Sequence, residues 1–213
     1  MTLDAYSSTG IVSSDSDVIL LFIEGEYQVK TSDRIHSVSG SALGYINSGV
    51  RFEIISGESP ASYLIANCPG NEHKVSIEHD SMIVAGGVTI LRTDRYDRFP
   101  DSGLVRDGMF YLEDGKVATY HSQDVEAEVF VFLKGICDAK VDGHTERFTA
   151  GEVLYVSAEE NHELANVGNN RLKVWLTVTP NVQAIRSIKE QSDGKWKRTT
   201  ERLDGLESRP SSA

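Results

Sequence analysis

Four side chains able to bind a metal ion lie within residues 121–162: His121, Gln123, Glu128 and His162. His121 and Gln123 are two residues apart at the end of a predicted strand, so both point to the same face. Two imidazoles and one carboxylate that leave open positions form a facial set that suits Fe(II) and also accepts Mn, Ni, Co or Zn. The amide oxygen of Gln123 adds a weak, neutral fourth ligand. We therefore predict a divalent transition-metal site, with Fe(II) favoured, at these four residues.

Other candidates for chemistry carry weaker patterns. Glu126 lies two residues before Glu128 and is an alternative carboxylate ligand. The remaining histidines stand singly in polar stretches and are predicted to be surface residues: His36, His73, His79 and His144. No glycine pattern that cradles phosphate leads into a helix, and no serine elbow occurs.

The elements that must position these residues read as short strands. Apolar segments of four to seven residues, bounded by Gly, Asp, Asn or Ser, occur at 18–23, 43–46, 50–55, 63–66, 81–84, 88–91, 109–112, 117–120, 129–133, 153–156 and 172–178. Many short strands separated by turn residues are typical of an all-β sandwich or barrel. We also predict one helix over residues 182–191, followed by a loose polar tail that Trp196 could anchor.

An internal repeat organises the chain. Residues 18–54 align with residues 128–164 at a constant offset of 110, and Gly25 then coincides with Gly135. Such a period indicates a duplicated domain. In the first copy the four candidate ligand positions carry Ile11, Ser13, Val18 and Phe52, which cannot form a metal site. We predict that the first copy is a packing module and that chemistry belongs to the second.

Composition excludes several classes of function. The chain has 213 residues and a net charge of −11, so nucleic acid and anionic membrane surfaces are not expected partners. It holds only two cysteines, and its N-terminus shows no secretory signal. No apolar run approaches the roughly 20 residues that a membrane span requires. We expect a cytoplasmic protein.

The spacing of the candidate ligands resembles the two motifs of the cupin family. The first cupin motif is His-x-His, three or four residues, Glu, six residues and Gly, and here it reads His121-x-Gln123, four residues, Glu128, six residues and Gly135. The second is Gly, five residues, Pro-x-Gly, two residues, His, three residues and Asn. In this chain it runs from Gly151 through Ser157-x-Glu159 and His162 to Asn166. The chain departs from the pattern at Gln123, Ser157 and Glu159.

The resemblance implies an all-β fold with two tandem cupin barrels (double-stranded β-helix, or jelly-roll) and a short C-terminal helix. We predict a degenerate, metal-free unit at residues 1–70, connecting strands at 71–108, a metal-site barrel at 109–180, and the helix and tail at 181–213. A homodimer is compatible with this family, whose barrels commonly pair through edge strands, but a bicupin can satisfy that pairing within one chain. The oligomeric state therefore stays open.

The resemblance also implies an apolar cup that receives a small chelating molecule. Phe130 and Phe132, on the face of Glu128, would form part of its wall, and Val117 and Thr119 are expected to share the face of His121. Our first hypothesis is a metal-dependent dioxygenase. The alternatives are a non-redox lyase or isomerase, with Glu128 or a pocket tyrosine (Tyr111 or Tyr155) as acid or base, and a module that binds a small ligand without turnover.

Overall fold

The computed structural model describes residues 1–68, 82–85, 87–92, 105–180, 186–189 and 196–199. It separates into two compact units, Met1–Leu104 and Val105–Ala213. The described residues are strands and connecting turns, and none of them lies in a helix long and apolar enough to cross a membrane. The all-β fold is confirmed, while the finer boundaries at residues 70, 108 and 180 stay predictions.

The first unit contains two sheets. Its strands are β1 Thr2–Leu3, β2 Asp17–Glu24, β3 Glu26–Thr31, β4 Ile35–Ser39, β5 Ala42–Ile46, β6 Phe52–Ser56, β7 Ala61–Cys68, β8 Met82–Ala85 and β9 Val88–Arg92. One sheet has the order β1-β7-β2-β5-β9-β8 and the other the order β4-β3-β6. Apolar residues from both sheets form one core, among them Leu20, Phe22, Tyr27, Phe52 and Ile54.

The second unit repeats this arrangement. Its strands are β10 Arg106–Leu112, β11 Val117–Gln123, β12 Ala127–Lys134, β13 Ile136–Val141, β14 His144–Thr149, β15 Val153–Val156, β16 His162–Asn166, β17 Leu172–Thr179, β18 Arg186–Lys189 and β19 Trp196–Thr199. The two sheets have the orders β10-β17-β12-β15 and β14-β13-β16-β11-β18-β19. Phe130 and Phe132 from the first sheet and Cys137 and Leu164 from the second share one core, as the layers of a jelly roll do.

Strand register confirms the repeat that the sequence predicts. Val18 pairs with Ile46 in the first unit, and Glu128 pairs with Val156 in the second, at the same offset of 110. Gly25 and Gly135 hold φ of 105° and 95°, in the left-handed region that favours glycine. A Cβ on Gly25 would lie 2.9 Å from the Cα of Ala61, so the duplicated turn also needs glycine for space.

The predicted C-terminal helix is wrong where the structure describes it. Arg186–Lys189 is strand β18, which pairs with residues His121, Ser122 and Gln123 of β11. The edge of β11 offers backbone N–H and C=O groups that need partners, and this sheet pairing overrides a weak local helix preference. Trp196–Thr199 pairs with β18, so this part of the tail is not a loose appendage.

Candidate metal centre

A β-bulge in β11 brings two of the predicted ligands to the inner face. The pairing of β11 with β16 shifts register between Ala118 and His121, after which His121 lies opposite His162. Because a bulge inserts one residue, side chains beyond it change face. His121 and Gln123 are consequently buried, whereas Val117 is 43% exposed and Thr119 is also exposed. The expectation that Val117 and Thr119 share the face of His121 is therefore wrong.

The other two candidate ligands come from β16, which pairs with β11, and from β12 of the other sheet. Glu128 is the second residue of β12, and His162 is the first residue of β16. Both are almost fully buried. The Phe130 ring packs edge-on against the His162 ring at 5.7 Å between centroids, so an apolar wall lies beside the site as predicted.

The three strongest candidate ligands converge. One ligand atom from each of His121, Glu128 and His162 lies within 4.8 Å of the others. His162 Nε2 is 2.6 Å and His121 Nε2 is 3.9 Å from the same Glu128 oxygen, Oε2. The two imidazole centroids are 4.2 Å apart. Side chains on three different strands thus face one small, buried volume.

Hydrogen bonds fix the orientation of both imidazoles. His121 Nδ1 is 2.7 Å from the carbonyl oxygen of Thr119, and His162 Nδ1 is 3.2 Å from that of Glu160. A carbonyl only accepts, so each Nδ1 donates, and Nε2 is the ring atom that each imidazole can offer to a cation. His162 Nε2 is buried, and its approach to Glu128 lacks hydrogen-bond geometry. Two neutral imidazoles and a carboxylate arranged in this way fit a divalent transition metal.

The remaining candidate site residues do not all lie where the sequence predicts. Gln123 is buried on the same face as His121, and its role as a fourth ligand stays a prediction. Glu126 is buried as well but does not belong to the converging set. Tyr155 is 60% exposed, because it alternates with the buried Val156 along β15 and so faces away from the core. Tyr155 is therefore corrected from a pocket residue to an outer-face residue. Tyr111 packs under the guanidinium of Arg171 at 4.2 Å instead.

Of the histidines that are predicted to lie at the surface, the structure describes one as exposed and one as buried. His144 is exposed as predicted. His36 is only 5% exposed, which corrects its predicted surface position: it shares the inner face of β4 with Val38. His73 and His79 lie outside the described residues.

The first unit has a hydrophobic core where the second has its ligands. Val18 and Phe52, which correspond to Glu128 and His162, are buried in the apolar core. Val12, rather than the expected Ile11, forms a bridge with Phe52, and Ile11 is 67% exposed. Val12 thus corresponds to His121 at an offset of 109 residues rather than 110, and His121 is the residue that follows the bulge in β11.

The turn before His162 contains a feature that spacing alone did not reveal. Glu159 has a φ of +70°, and its N–H donates to the Gln123 carbonyl at 2.6 Å. The resembled motif has glycine at this position, which is the signal that could have predicted a left-handed residue here. Asn166 closes the motif structurally, because its amide donates to the carbonyl oxygens of Leu112 and Asn170.

Comparisons with known proteins agree with this architecture. The family described as Cupin domain matches residues 108–179. No curated protein matches the chain. Among solved structures, an oxalate decarboxylase from Lactobacillus farciminis in complex with formate is similar with a TM-score of 0.66 and 11% identity, over 93% of this chain and 77% of that one.

Two further structures come from oxalate decarboxylase of Bacillus subtilis. The enzyme at pH 4.6 has a TM-score of 0.64 and 16% identity, over 93% of this chain and 68% of that one. A structure used to assign its Mn(II) centres has a TM-score of 0.63 and 15% identity, over 93% and 69%. At these identities the likeness establishes the fold that the chains share.

Proposed function

We propose that the chain is a bicupin of the cupin superfamily and that its second unit is a metal-dependent enzyme acting on a small carboxylate that chelates the metal. The observation that carries this proposal is the buried convergence of His121, Glu128 and His162 with both Nε2 atoms directed inward. The first unit then serves as a packing module, because its equivalent positions are apolar.

The ligand set favours an anionic substrate. His121 and His162 as neutral imidazoles, Glu128 as a carboxylate and Gln123 as a neutral amide would leave a divalent ion with one net positive charge. A buried positive charge is costly unless an anion pairs with it. A small carboxylate that binds through two oxygens would supply that anion and occupy the open positions. Mn(II) and Fe(II) both suit this set of nitrogen and oxygen donors.

Lyase chemistry is the first candidate for the reaction. When bound, a divalent metal supplies Lewis-acid polarisation of substrate oxygens. Glu128 would hold the ion and stays the proposed catalytic carboxylate, while Phe130, whose ring packs against His162, would shield the site from water. The similar solved structures are oxalate decarboxylases, which supports decarboxylation over the isomerase alternative.

A dioxygenase is the second candidate. Two histidines and one carboxylate with open positions are the donor set of non-haem Fe(II) oxygenases, which activate O₂ beside a chelated substrate. Both candidates take a small molecule as partner, and both are compatible with the cytoplasmic location that the sequence predicts.

Metal analysis and gas exchange test the proposal. We expect about one equivalent of Mn or Fe per chain, lost in His162→Ala and kept in the control His144→Ala, which removes an exposed histidine of the same unit. Oxalate and a panel of short 2-oxo and 2-hydroxy acids serve as substrates. Carbon dioxide release without O₂ uptake supports the lyase, whereas stoichiometric O₂ uptake supports the dioxygenase. Metal binding with neither exchange would refute both candidates in favour of a binding module.

A further inference from the structure

A four-residue turn, Ser157 to Glu160, connects β15 to the strand that begins with His162. The Ser157 N–H donates to Glu160 Oε2 at 2.7 Å, and the Glu160 N–H returns a bond of 3.3 Å to the Ser157 carbonyl. The Glu160 side chain reaches back to the backbone N–H three residues earlier, as the glutamate of a capping box does, and the bond between the two backbones is that of a β-turn. The Glu160 carboxylate therefore fixes the conformation of the turn.

The same turn contacts two of the three strands that carry the candidate ligands, β11 and β16. The Glu160 carbonyl accepts the hydrogen bond from His162 Nδ1, and the Glu159 N–H donates to the carbonyl of Gln123. A change in the turn would therefore move the acceptor that orients the His162 ring. It would also release the end of β11 that follows His121.

From these contacts we infer that Glu160 is a positioning residue for the metal site. Its carboxylate holds the Ser157–Glu160 turn closed, and the closed turn directs His162 Nε2 toward Glu128. Proline at position 157 would fix φ but has no N–H to donate. The Ser157–Glu160 bond therefore takes the place of the rigid proline in the resembled motif. This inference rests on the proposed metal binding by His162.

The second unit provides a matched control for this role. The Thr149 N–H donates to Glu152 Oε2 at 2.5 Å, and the Glu152 N–H returns a bond to the Thr149 carbonyl. The two turns share the same spacing and these two hydrogen bonds, and in the Glu152 turn the Thr149 hydroxyl also donates to Glu152 Oε2 at 2.9 Å. The Glu152 turn, however, makes no described hydrogen bond to a candidate ligand. Removing either carboxylate should open a turn, but only one of the two turns leads to His162.

Mn(II) affinity and amide hydrogen exchange on the full-length protein test the inference. In Glu160→Ala we expect Mn(II) to bind about tenfold more weakly, as when the supporting contact of a ligand is lost. Glu160→Gln keeps an acceptor for the Ser157 N–H and should stay closer to wild type. Ser157→Pro combined with Glu160→Ala should restore affinity, because proline stiffens the turn without needing a partner. Glu152→Ala should bind Mn(II) as wild type does.

Hydrogen exchange of the metal-free protein separates this inference from the proposed function. Exchange at the Ser157 and His162 amides should accelerate in Glu160→Ala and not in Glu152→Ala. Equal Mn(II) affinities of Glu160→Ala and wild type, or an equal loss in Glu152→Ala, would overturn the positioning role. If the wild-type protein binds no Mn(II), the proposed function fails. Hydrogen exchange that is unchanged in metal-free Glu160→Ala would refute the dependence of the turn on Glu160.

Discussion

Replacing Glu128 by glutamine removes the only charge in the converging ligand set while keeping the shape of the side chain. Glu128 Oε2 lies 2.6 Å and 3.9 Å from the two Nε2 atoms that we expect to share the cation. Removing one partner of a buried charge pair costs about 3–5 kcal/mol. Metal affinity in Glu128→Gln should accordingly fall by more than about a hundredfold, since each factor of ten is roughly 1.4 kcal/mol.

Thermal unfolding in the presence of Mn(II) measures this loss. A ligand present at one hundred times its Kd stabilises the native state by about 2.7 kcal/mol, and one present at its Kd by roughly 0.4 kcal/mol. For a chain of 213 residues, these two energies correspond to rises in Tm of about 5–10 °C and about 1–2 °C. We expect the larger shift in wild type and at most the smaller one in Glu128→Gln.

Glu126→Gln is the matched control. Glu126 is also a buried carboxylate and lies two residues away, but it is outside the converging set. This variant should keep the full Mn(II)-dependent shift, whatever its own Tm without metal. If Glu126→Gln loses the shift and Glu128→Gln keeps it, the assignment of the carboxylate ligand is wrong.

Three further predictions concern single sites. Gln123→His should tighten Mn(II) binding in calorimetric titrations, because imidazole is a stronger donor than an amide oxygen; unchanged affinity would place Gln123 outside the ligand set. Burial raises the pKa of the Cys137 thiol to about 12, so it should resist iodoacetamide at pH 8.5 until the protein unfolds. Peptide mapping that finds Cys137 alkylated in the native protein would contradict its burial. Between about pH 8.5 and 12 the thiol keeps its proton in the folded state and loses it on unfolding, so the free energy of unfolding should fall as the pH rises through this range. Gly25→Ala should destabilise the first unit by more than about 2 kcal/mol in urea unfolding, and Gly40→Ala, which has open space, by only about 1 kcal/mol; equal costs would mean that the close approach to Ala61 does not matter.

The convergence of the three candidate ligands could be predicted from the sequence because the spacing that indicates it is local. His121, Glu128 and His162 each stand at a fixed distance from a turn glycine or a strand end, and the fold brings those positions together. The repeat was readable for the same reason, since duplicated strands keep their register. Strands with few apolar residues, such as His144–Thr149, were not predicted, because their stability comes from pairing with β13 rather than from their own composition.

The wrong predictions share a physical cause: strand pairing in the folded protein determines the secondary structure and the inward face of a strand where the local sequence pattern does not. The bulge in β11 reverses the faces of Val117 and His121, and a bulge leaves no clear mark in strand periodicity. The edge of β11 converts Arg186–Lys189 into a strand. Tyr155 alternates correctly along its strand, but which of the two faces is inner depends on the sheet that packs behind it.

The central claim is that His121, Glu128 and His162 bind one divalent ion, and a crystal structure of the Mn(II)-loaded protein with anomalous scattering tests it most directly. We expect one Mn peak within coordination distance of His121 Nε2, His162 Nε2 and a carboxylate oxygen of Glu128. A protein that carries one equivalent of Mn(II) bound elsewhere, or crystals saturated with Mn(II) that show no peak among these three side chains, would contradict the account.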